Sequence, residues 1–343
     1  MNHLSVKVRR VTIVGNRGGT NVGGSLERAA RIAGLDFQVI EPRQAMDAPA
    51  WVRRFNWYFR GKRPTWLNSF SNQVVQSCAR HKSEVVVVTG ISGLNADALK
   101  RLSKAGVRVA NYLTDDPWNP AHRAPWFLNA LPEYYAVFSP RQANLGDLAA
   151  LGCSKVSYLP FAFDPALHFP EEPSENEREN FSTDVLFIGG ADEDRVPVCV
   201  AIAASGHSLA IYGDYWDRSE LARPFWRGYA NPSTLRKATT AARVCLCLAR
   251  KANRDGHTMR SYEVPAMRGV ILAEATDDHK DMFGEEGALY FRDIPEMITK
   301  AKWLVAYPTE ARQMAERAYA RITGNKNTYR DRLEAILALC TDK

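Results

Sequence analysis

Residues 11–24 of this 343-residue chain read VTIVGNRGGTNVGG. The first four form a short apolar run, the glycines interrupt it, and Leu26 to Ala33 then follows with helical spacing. This order predicts a buried strand, a glycine-rich loop and a helix. A unit of this kind is typical of a parallel α/β fold, in which strands and helices alternate along the chain.

The alternation continues through the first half of the chain. Further strands are predicted at Phe37 to Ile40, Val85 to Thr89, Arg108 to Leu113, Ala136 to Ser139 and Lys155 to Tyr158, and helices at Trp66 to Arg80 and Ala96 to Ala105. Because strands so apolar are usually buried on both faces, we predict a parallel sheet with helices on each side.

Residues 164–183 differ in composition, since three prolines accompany the polar and acidic stretch Glu171 to Asn180. This composition predicts a linker or surface loop. The α/β pattern then restarts, with strands predicted at Asp184 to Ile188, Ser208 to Tyr212, Arg243 to Leu248, Val270 to Ala273 and Ala288 to Tyr290, before a helical tail. We therefore predict an α/β protein with two Rossmann-like domains, 1–165 and 166–325, facing a central cleft. The helical tail from Ile294 to Leu339 is expected to cover the second domain, and its last part, a C-terminal helix within 326–343, is expected to return to the first.

Composition limits the classes of function. No stretch approaches the roughly 20 apolar residues that cross a bilayer, and Met1 to Arg10 lacks the apolar run of a signal peptide, so we expect a soluble cytoplasmic protein. The net charge of +7 suits anionic partners such as nucleotides, phosphorylated acceptors or a membrane surface. No nucleic-acid-binding module accompanies it, so nucleic acid is not an expected partner.

The six cysteines are scattered, and none of them lies with histidines at zinc-site spacing. Cys245 and Cys247 lie two apart in a predicted strand, so their side chains share a face but are poorly placed for joint chelation. We therefore predict buried, reduced thiols and no structural metal.

The first glycine loop is one candidate binding element. Gly18, Gly19, Gly23 and Gly24 allow close approach of a ligand to the backbone, and the next helix offers unpaired N–H groups to an anion. The alternative is a turn that packs helix on strand. A nicotinamide cofactor is a further candidate, although the glycine spacing is irregular and the acidic residue expected after the second strand could only be Glu41.

The second loop, Gly189 and Gly190, leads to Arg195 near the start of a predicted helix. The planar guanidinium binds phosphate oxygens in pairs, so Arg195 is a candidate for holding a diphosphate. A solvated arginine in the first turn of a helix is the alternative.

Residues 251–263 are rich in charged groups and follow a buried strand. Lys251, Asp255, His257, Arg260 and Glu263 are all expected in a loop and the start of the next helix. A carboxylate there is well placed to accept hydrogen bonds from ribose hydroxyls, while the basic groups neutralise a diphosphate. The alternative is a capping carboxylate with solvated basic neighbours. Ser261 to Arg268 is predicted to form the helix, with Pro265 in its first turn.

Asp115 and Asp116 follow a predicted strand and are candidates for a general base. The alternative is that one of them caps the turn before Pro117.

Several motifs resemble one known family. They are YLTDDPW at 112–118, YLPFAFDPALH at 158–168, VLFIGG at 185–190, RSYEVPAMRGVILAE at 260–274, DMFG at 281–284, ALYF at 288–291 and NTYRDR at 327–332. The chain resembles the spore-maturation (CgeB-type) glycosyltransferases, which belong to the GT-B class, from about Trp66 onward.

The resemblance implies that the C-terminal domain binds a nucleotide sugar, uridine-linked in our prediction, and that the N-terminal domain binds a glycan, protein or small-molecule acceptor. Related enzymes carry two acidic residues with seven between them, as Asp255 and Glu263 are here. Glu263 would then bind the donor ribose, and Asp255 would lie near the sugar or its phosphate as a catalytic candidate. Arg195 and Lys251 would contact the diphosphate, and no other cofactor is expected.

A second hypothesis is a non-catalytic protein of the same fold that binds sugar nucleotides or glycans. Asp255 stands where the family usually has glutamate, which is compatible with lost chemistry.

The segment Trp51 to Arg63 interleaves aromatic and basic residues. On a helix, Trp51, Phe55, Tyr58 and Phe59 share one face, and such a segment can make peripheral contact with an anionic membrane or bind an anionic acceptor. The alternative, which we predict, is a helix packed against the first domain with its arginines in solvent, since amphipathicity is the usual property of a surface helix.

Overall fold

The computed structural model describes residues 8–341, which form two compact units. Within that range the first unit contains residues 8–160, 252–254 and 329–341, and the second contains the remainder. The chain passes from the first unit to the second between Pro160 and Phe161. Residues 1–7 lie outside the described residues. They are most of the segment Met1 to Arg10, in which the sequence shows no apolar run of a signal peptide.

The first unit is a six-stranded parallel sheet covered by helices. Its strands are β1 (Arg10–Val14), β2 (Asp36–Ile40), β3 (Val85–Thr89), β4 (Arg108–Tyr112), β5 (Ala136–Ser139) and β6 (Val156–Tyr158), in the spatial order β2-β1-β3-β4-β5-β6. Its helices are α1 (Val22–Ile32), α2 (Ala50–Phe59), α3 (Leu67–His81), α4 (Ala96–Lys104), α5 (Pro125–Leu128) and α6 (Ala143–Ala150). The four valines of β3 are buried, as their apolar run predicted.

The second unit is a five-stranded parallel sheet. Its strands are β7 (Thr183–Ile188), β8 (Leu209–Tyr212), β9 (Ala242–Cys247), β10 (Ile271–Glu274) and β11 (Leu289–Phe291), in the order β11-β10-β9-β7-β8. Its helices are α7 (Glu175–Phe181), α8 (Arg195–Ala204), α9 (Pro232–Ala241), α10 (Arg260–Ala266), α11 (Asp277–Gly287), α12 (Ile294–Ala306) and α13 (Pro308–Thr323). The two sheets confirm the predicted pair of Rossmann-like α/β domains.

The last helix, α14 (Tyr329–Thr341), packs against α1 and the middle strands of the first sheet. Leu333, Ile336 and Leu337 are buried there, and the Arg108 guanidinium donates a hydrogen bond to the carbonyl of Cys340. The helical tail is therefore divided, with α12 and α13 on the second unit and α14 on the first.

The segment 164–183, predicted to be a linker or surface loop, includes a helix that was not predicted. The segment contains α7, whose first turn has a capping box formed by Ser174 and Glu177. None of the side chains of α7 is buried, which is why no apolar pattern revealed the helix. Ion pairs hold it instead, since Lys237 of α9 lies 2.6 Å from Glu177, and this contact lowers the pKa of Glu177 to about 2.

The expected position of Pro265 was also wrong. It lies in the last turn of α10 rather than the first. The helix tolerates it because α10 ends one residue later, where Met267 and Gly269 donate hydrogen bonds to Glu263 and Val264.

Helix α2 differs from the prediction of a packed surface helix. Trp51, Phe55, Tyr58 and Phe59 are exposed, whereas Asn56 is buried and donates a hydrogen bond to Thr65. Asn56 is thus the buried residue of this helix, the arginines lie in solvent as predicted, and the aromatic side chains are exposed as well.

All six cysteines are buried and free. Burial raises the pKa of Cys199 and Cys247 to about 12, which keeps these thiols protonated. The described residues include no group of three metal-ligating side chains and no helix long and apolar enough to cross a membrane.

Candidate functional site

In the second unit, charged residues collect at the carboxyl ends of β7, β9 and β10, where ligands bind to open parallel sheets. Glu263 is the most deeply placed of them, with 0% of its surface exposed. One carboxylate oxygen lies 3.5 Å from His168 Nε2, and the other forms an ion pair with Arg260. A buried carboxylate is costly unless cationic or hydrogen-bonding groups compensate it, so this cluster is built around its charge.

The orientation of His168 is set by the backbone. Asp164 N–H donates to His168 Nδ1 over 3.0 Å, so the ring proton is on Nε2, the atom that faces Glu263. No role was predicted for this histidine, although it ends the motif YLPFAFDPALH at 158–168. Only the fold brings it beside a carboxylate 95 positions later in the chain.

Arg260 connects Glu263 to the end of β7. Its Nε donates to the carbonyl of Ile188 over 3.3 Å, and the same guanidinium pairs with Glu263 one turn along α10. The side chain is about one fifth exposed, so it is partly accessible to a ligand at the strand ends.

Arg195 is buried, with 7% exposure, rather than projecting freely from its helix. Its guanidinium donates to the carbonyl of Leu248 over 3.1 Å and to that of Gly190 over 3.3 Å, and it lies against the Phe187 ring. Burial lowers the pKa of Arg195. Arg195 therefore joins the loops that follow β7 and β9, and its predicted contact with a diphosphate stays a prediction.

Close packing surrounds Gly189, which follows β7, and Gly213, which follows β8. A Cβ at Gly189 would lie 3.0 Å from the Phe187 ring, and one at Gly213 would lie 2.2 Å from the Gly189 carbonyl oxygen. Gly213 also has φ of +139°, which L side chains rarely adopt. These glycines let the ends of β7 and β8 meet.

Basic groups flank the Gly189–Gly190 loop. Lys251 is 71% exposed in a short 3-10 turn, 3.7 Å from Asp194, and Arg250 Nε donates to Asp192 over 3.2 Å. Glu274, at the end of β10, accepts from the N–H of Ala249, and its burial raises its pKa. Arg250 and Glu274 were missed from the sequence because nothing in their local pattern distinguishes them from ordinary surface charges.

Asp255 and His257 are held in the loop before α10. Asp255 accepts from the N–H of Arg250 over 3.2 Å and donates its own N–H to the Arg250 carbonyl. His257 is 1% exposed, with Nδ1 2.7 Å from Asp278 and Nε2 accepting from the N–H of Phe161. His257 thus fixes the loop, and Asp278, which the sequence did not single out, fixes His257.

A second histidine, His279, supports the start of α10 through Ser261. Thr258 N–H donates to Ser261 Oγ, which lies 2.8 Å from His279 Nε2, and His279 Nδ1 lies 2.9 Å from the Glu274 carbonyl. Because that carbonyl can only accept, Nδ1 carries the proton and Nε2 accepts from Ser261. Burial lowers the pKa of His279 to about 4.

We expect the protein to lose stability in acid because of His279. The unfolded chain binds the proton with the ordinary pKa of 6.5, whereas the folded chain resists it until about pH 4. Lowering the pH through this window therefore favours unfolding, by at most about 1.4 kcal/mol per pH unit for one group. Denaturant midpoints measured from pH 7 to 4 should fall more steeply for the wild type than for His279→Gln. His122→Gln is the control and should follow the wild type, and parallel profiles for His279→Gln would contradict this prediction.

In the first unit, Asp115 and Asp116 follow β4 but have different environments. Asp116 is 1% exposed, accepts from the Trp118 N–H, and receives two hydrogen bonds from Arg254, of 2.6 and 3.2 Å. These bonds hold the pKa of Arg254 above its usual value. Asp115 is only half-buried and contacts Thr114 and Asn253, at 3.2 and 3.5 Å. Asp116 thus caps a turn and anchors Arg254.

Asp116→Asn is expected to lower the free energy of unfolding by about 1–3 kcal/mol, because a buried charge-assisted pair with Arg254 is lost. The matched control is Asp147→Asn, which removes the exposed partner of the same arginine, 2.7 Å away, and should cost under about 1 kcal/mol. Urea unfolding of the two variants measures the difference. Equal midpoints would show that Asp116 does not stabilise the unit in this way.

The first glycine loop joins β1 to α1. A Cβ at Gly23 would lie 2.6 Å from the Asn16 carbonyl oxygen and 2.7 Å from the Gly15 backbone. Packing is therefore a sufficient reason for a glycine at this position. Gly18 and Gly19 have φ of +79° and +51°, and Gly24 makes only ordinary contacts. The packing alternative accounts for Gly23, and the predicted acceptor role of the four glycines stays a prediction.

Comparisons with known proteins bear on these arrangements. Residues 197–338 match a family model described as glycosyl transferase-like. No curated protein sequence matches the chain. The matched region includes α10 and therefore Glu263 and Arg260.

Solved structures resemble the whole chain. Sucrose-phosphate synthase from Thermosynechococcus elongatus has a TM-score of 0.65 at 12% identity, covering 96% of each chain. HepE from Anabaena, solved with UDP-glucose, has a TM-score of 0.61 at 11% identity, covering 96% of this chain and 98% of its own. A putative UDP-N-acetylglucosamine 2-epimerase from Listeria monocytogenes has a TM-score of 0.55 at 13% identity, covering 97% of this chain and 95% of its own. At such identities the likeness shows the fold.

Proposed function

We propose that this protein, which has the GT-B fold and matches a glycosyl transferase-like family model over residues 197–338, is a glycosyltransferase that moves a sugar from a uridine diphosphate sugar to a hydroxyl group of a glycan, protein or small molecule. Within that class we place it with the CgeB-type enzymes, whose motifs its sequence resembles. The observation that carries the proposal is the buried Glu263, held by Arg260 and His168 at the carboxyl end of the second sheet.

The donor nucleoside is assigned to Glu263. In this assignment its carboxylate accepts hydrogen bonds from the two ribose hydroxyls. A carboxylate has acceptor sites for several donors, so it can accept these bonds beside its protein partners. His168 and Arg260 each lie beside one carboxylate oxygen of Glu263 and so orient its side chain. The UDP-glucose complex of HepE, which shares the fold, supports a uridine-linked donor.

The diphosphate is assigned to the exposed basic groups around Gly190. Lys251 is the most accessible cation there, and Arg250 and Arg260 are partly exposed beside it. As the bond between the anomeric carbon and the diphosphate oxygen breaks, these cations stabilise the charge that develops on the leaving group. Arg195 acts as a positioning residue, since it holds both loops through their backbone carbonyls.

The acceptor proton is assigned to Asp115. The acceptor oxygen forms the new bond to the anomeric carbon, and its proton passes to a carboxylate acting as general base. Asp115 fits this role better than Asp116, because both oxygens of Asp116 are occupied by Arg254 and the Trp118 N–H. Asp255 is assigned to orient the donor sugar, from a loop that Arg250 holds in place.

The experiment is a turnover assay with a panel of UDP-sugars, with and without mixed acceptors. We expect one sugar to release UDP, and the rate to rise when an acceptor is present. Release that is absent with every sugar, despite measurable binding, would instead favour the non-catalytic sugar-nucleotide or glycan-binding protein. Interconversion of UDP-sugars without transfer would favour an epimerase, the activity in the name of one protein with this fold.

A further inference from the structure

We propose that helix α2 is an interfacial anchor that binds the surface of an anionic phospholipid bilayer. The proposal concerns the first unit alone and does not depend on the reaction assigned above. It rests on the exposure of α2, on the charge of the surrounding sequence and on a basic cavity beside the helix.

Helix α2 leaves its apolar side chains exposed along with its basic ones, which a surface helix normally does not do. Trp51, Tyr58 and Phe59 are 74%, 75% and 77% exposed, and Phe55 is 54% exposed, whereas Asn56 is 6% exposed. Surface helices usually bury their apolar face and expose their polar one. The Phe55 and Phe59 rings contact each other, with centroids 5.2 Å apart, and so form a continuous apolar surface. An exposed apolar patch of this kind marks a binding surface.

The charge around α2 identifies an anionic partner. Residues 48–83 contain seven Lys or Arg and no Asp or Glu. The net charge of this segment is therefore +7, the same as that of the whole chain. Arg53, Arg54 and Arg60 are exposed and make no ion pair within residues 8–341. Arginines beside exposed Trp, Tyr and Phe are typical of helices that lie in the headgroup region of a membrane, with the rings inserted and the guanidiniums at the phosphates.

A cavity of about 520 Å³ adjoins the C-terminal end of α2. Arg60, Arg63, Thr65 and Trp66 line it, together with Asn68 and Ser69. Two guanidiniums and several hydrogen-bonding side chains suit a phosphate group. The ring of Trp66 is half-exposed, with its Nε1–H donating to the Asp47 carbonyl, so its apolar edge is available to a lipid.

The anchor is rigidly joined to the rest of the unit. Asn56 donates to Thr65 over 3.0 Å, Lys62 donates to the carbonyl of Pro120, and Trp126 donates to the carbonyl of Lys62 over 3.3 Å. Membrane binding through α2 would therefore also place the loop between β4 and α5 near the lipid surface.

The test is co-sedimentation of the full chain with vesicles of phosphatidylcholine containing about one third phosphatidylglycerol. We expect the chain to bind these anionic vesicles at least about tenfold more tightly than vesicles of pure phosphatidylcholine. Added salt should weaken this binding, because the arginines interact with anionic headgroups. Phe55→Ser with Phe59→Ser should reduce the binding at least about tenfold, since two inserted rings are lost. Arg53→Gln with Arg54→Gln should reduce it on anionic vesicles only.

The chain offers matched controls. Trp303 and Tyr307 form an exposed aromatic pair in the second unit, with centroids 5.1 Å apart, so Trp303→Ser with Tyr307→Ser removes a comparable surface elsewhere. Lys302→Gln with Arg312→Gln removes two exposed charges there. Both controls should bind vesicles as the wild type does, and thermal unfolding confirms that each variant is folded.

Three outcomes would overturn the proposal. The first is vesicle binding that is equal for the α2 variants and their controls. The second is a change in sedimentation coefficient with protein concentration that only the α2 variants abolish, which would assign the aromatic surface to a second copy of the chain. The third is binding to dextran sulfate as tight as binding to vesicles and unaffected by the loss of Phe55 and Phe59, which would assign the surface to a soluble polyanion.

Discussion

Replacing Glu263 by glutamine is expected to weaken the binding of UDP about 100-fold, with the chain still folded. The carboxylate is the group assigned to the ribose hydroxyls, and glutamine has the same shape but lacks the charge and one acceptor oxygen. Charge-assisted hydrogen bonds contribute about 1.5–3 kcal/mol, which corresponds to about 10- to 150-fold in affinity. Calorimetric titration with UDP measures the loss directly.

The ribose assignment can be tested separately from general damage to the site. The wild type should bind 2′-deoxy-UDP much more weakly than UDP, by most of the factor that separates the wild type from Glu263→Gln in binding UDP. The variant should bind UDP and 2′-deoxy-UDP almost equally. Glu316→Gln is the control, since Glu316 is an exposed glutamate of α13 that lies 3.5 Å from Arg268. Equal UDP affinity in the wild type and Glu263→Gln would remove Glu263 from the donor site.

Asp115→Asn is expected to lower kcat by about 10²- to 10⁴-fold, the usual contribution of a general base. Asparagine cannot take up the acceptor proton, but it can keep the hydrogen bonds to Thr114 and Asn253. The KM for the donor should therefore change by less than about threefold, because no interaction with the nucleotide is removed. Steady-state kinetics with the sugar and acceptor that give turnover separate the two parameters.

The neighbouring variant is the natural comparison. Asp116→Asn should lower stability, through the loss of its pair with Arg254, while kcat per folded molecule stays within about tenfold of the wild type. Wild-type kcat in Asp115→Asn, or a larger loss of kcat in Asp116→Asn, would reverse the two assignments.

Most of the fold could be predicted from the sequence because it depends on local patterns. Strand β3 is a run of four valines that ends in a threonine, and β5 is an apolar run that ends before Pro140, so both were predicted at their observed limits. Helix α7 could not be predicted in the same way, because ion pairs to α9 rather than buried apolar residues hold it.

The exposed face of α2 shows a second limit. Its periodicity predicts an amphipathic helix correctly, but periodicity does not say which face is turned toward the protein. The hydrogen bond from Asn56 to Thr65 decides that, and it depends on the course of the chain between α2 and α3.

The candidate site was predicted only in part. Glu263, Arg260 and Arg195 were found as charged residues after predicted strands, but their partners are distant in sequence. His168 lies 95 positions from Glu263, and Asp116 lies 138 positions from Arg254. No local pattern joins such pairs. The sequence therefore could not reveal that Arg195 is buried among backbone carbonyls, or that Arg254 donates hydrogen bonds to both oxygens of Asp116.

The most direct test of the central claim is a thermal-shift titration with UDP, UDP-sugars and NAD in parallel. A ligand at about 100 times its Kd stabilises the folded state by about 2.7 kcal/mol, which is readily measured as a rise in Tm. We predict that UDP and at least one UDP-sugar raise the Tm of the wild type, that Glu263→Gln shows little rise at the same concentrations, and that NAD has no effect. Stabilisation by NAD alone would contradict the account and would favour an oxidoreductase that uses the glycine loop at 15–24.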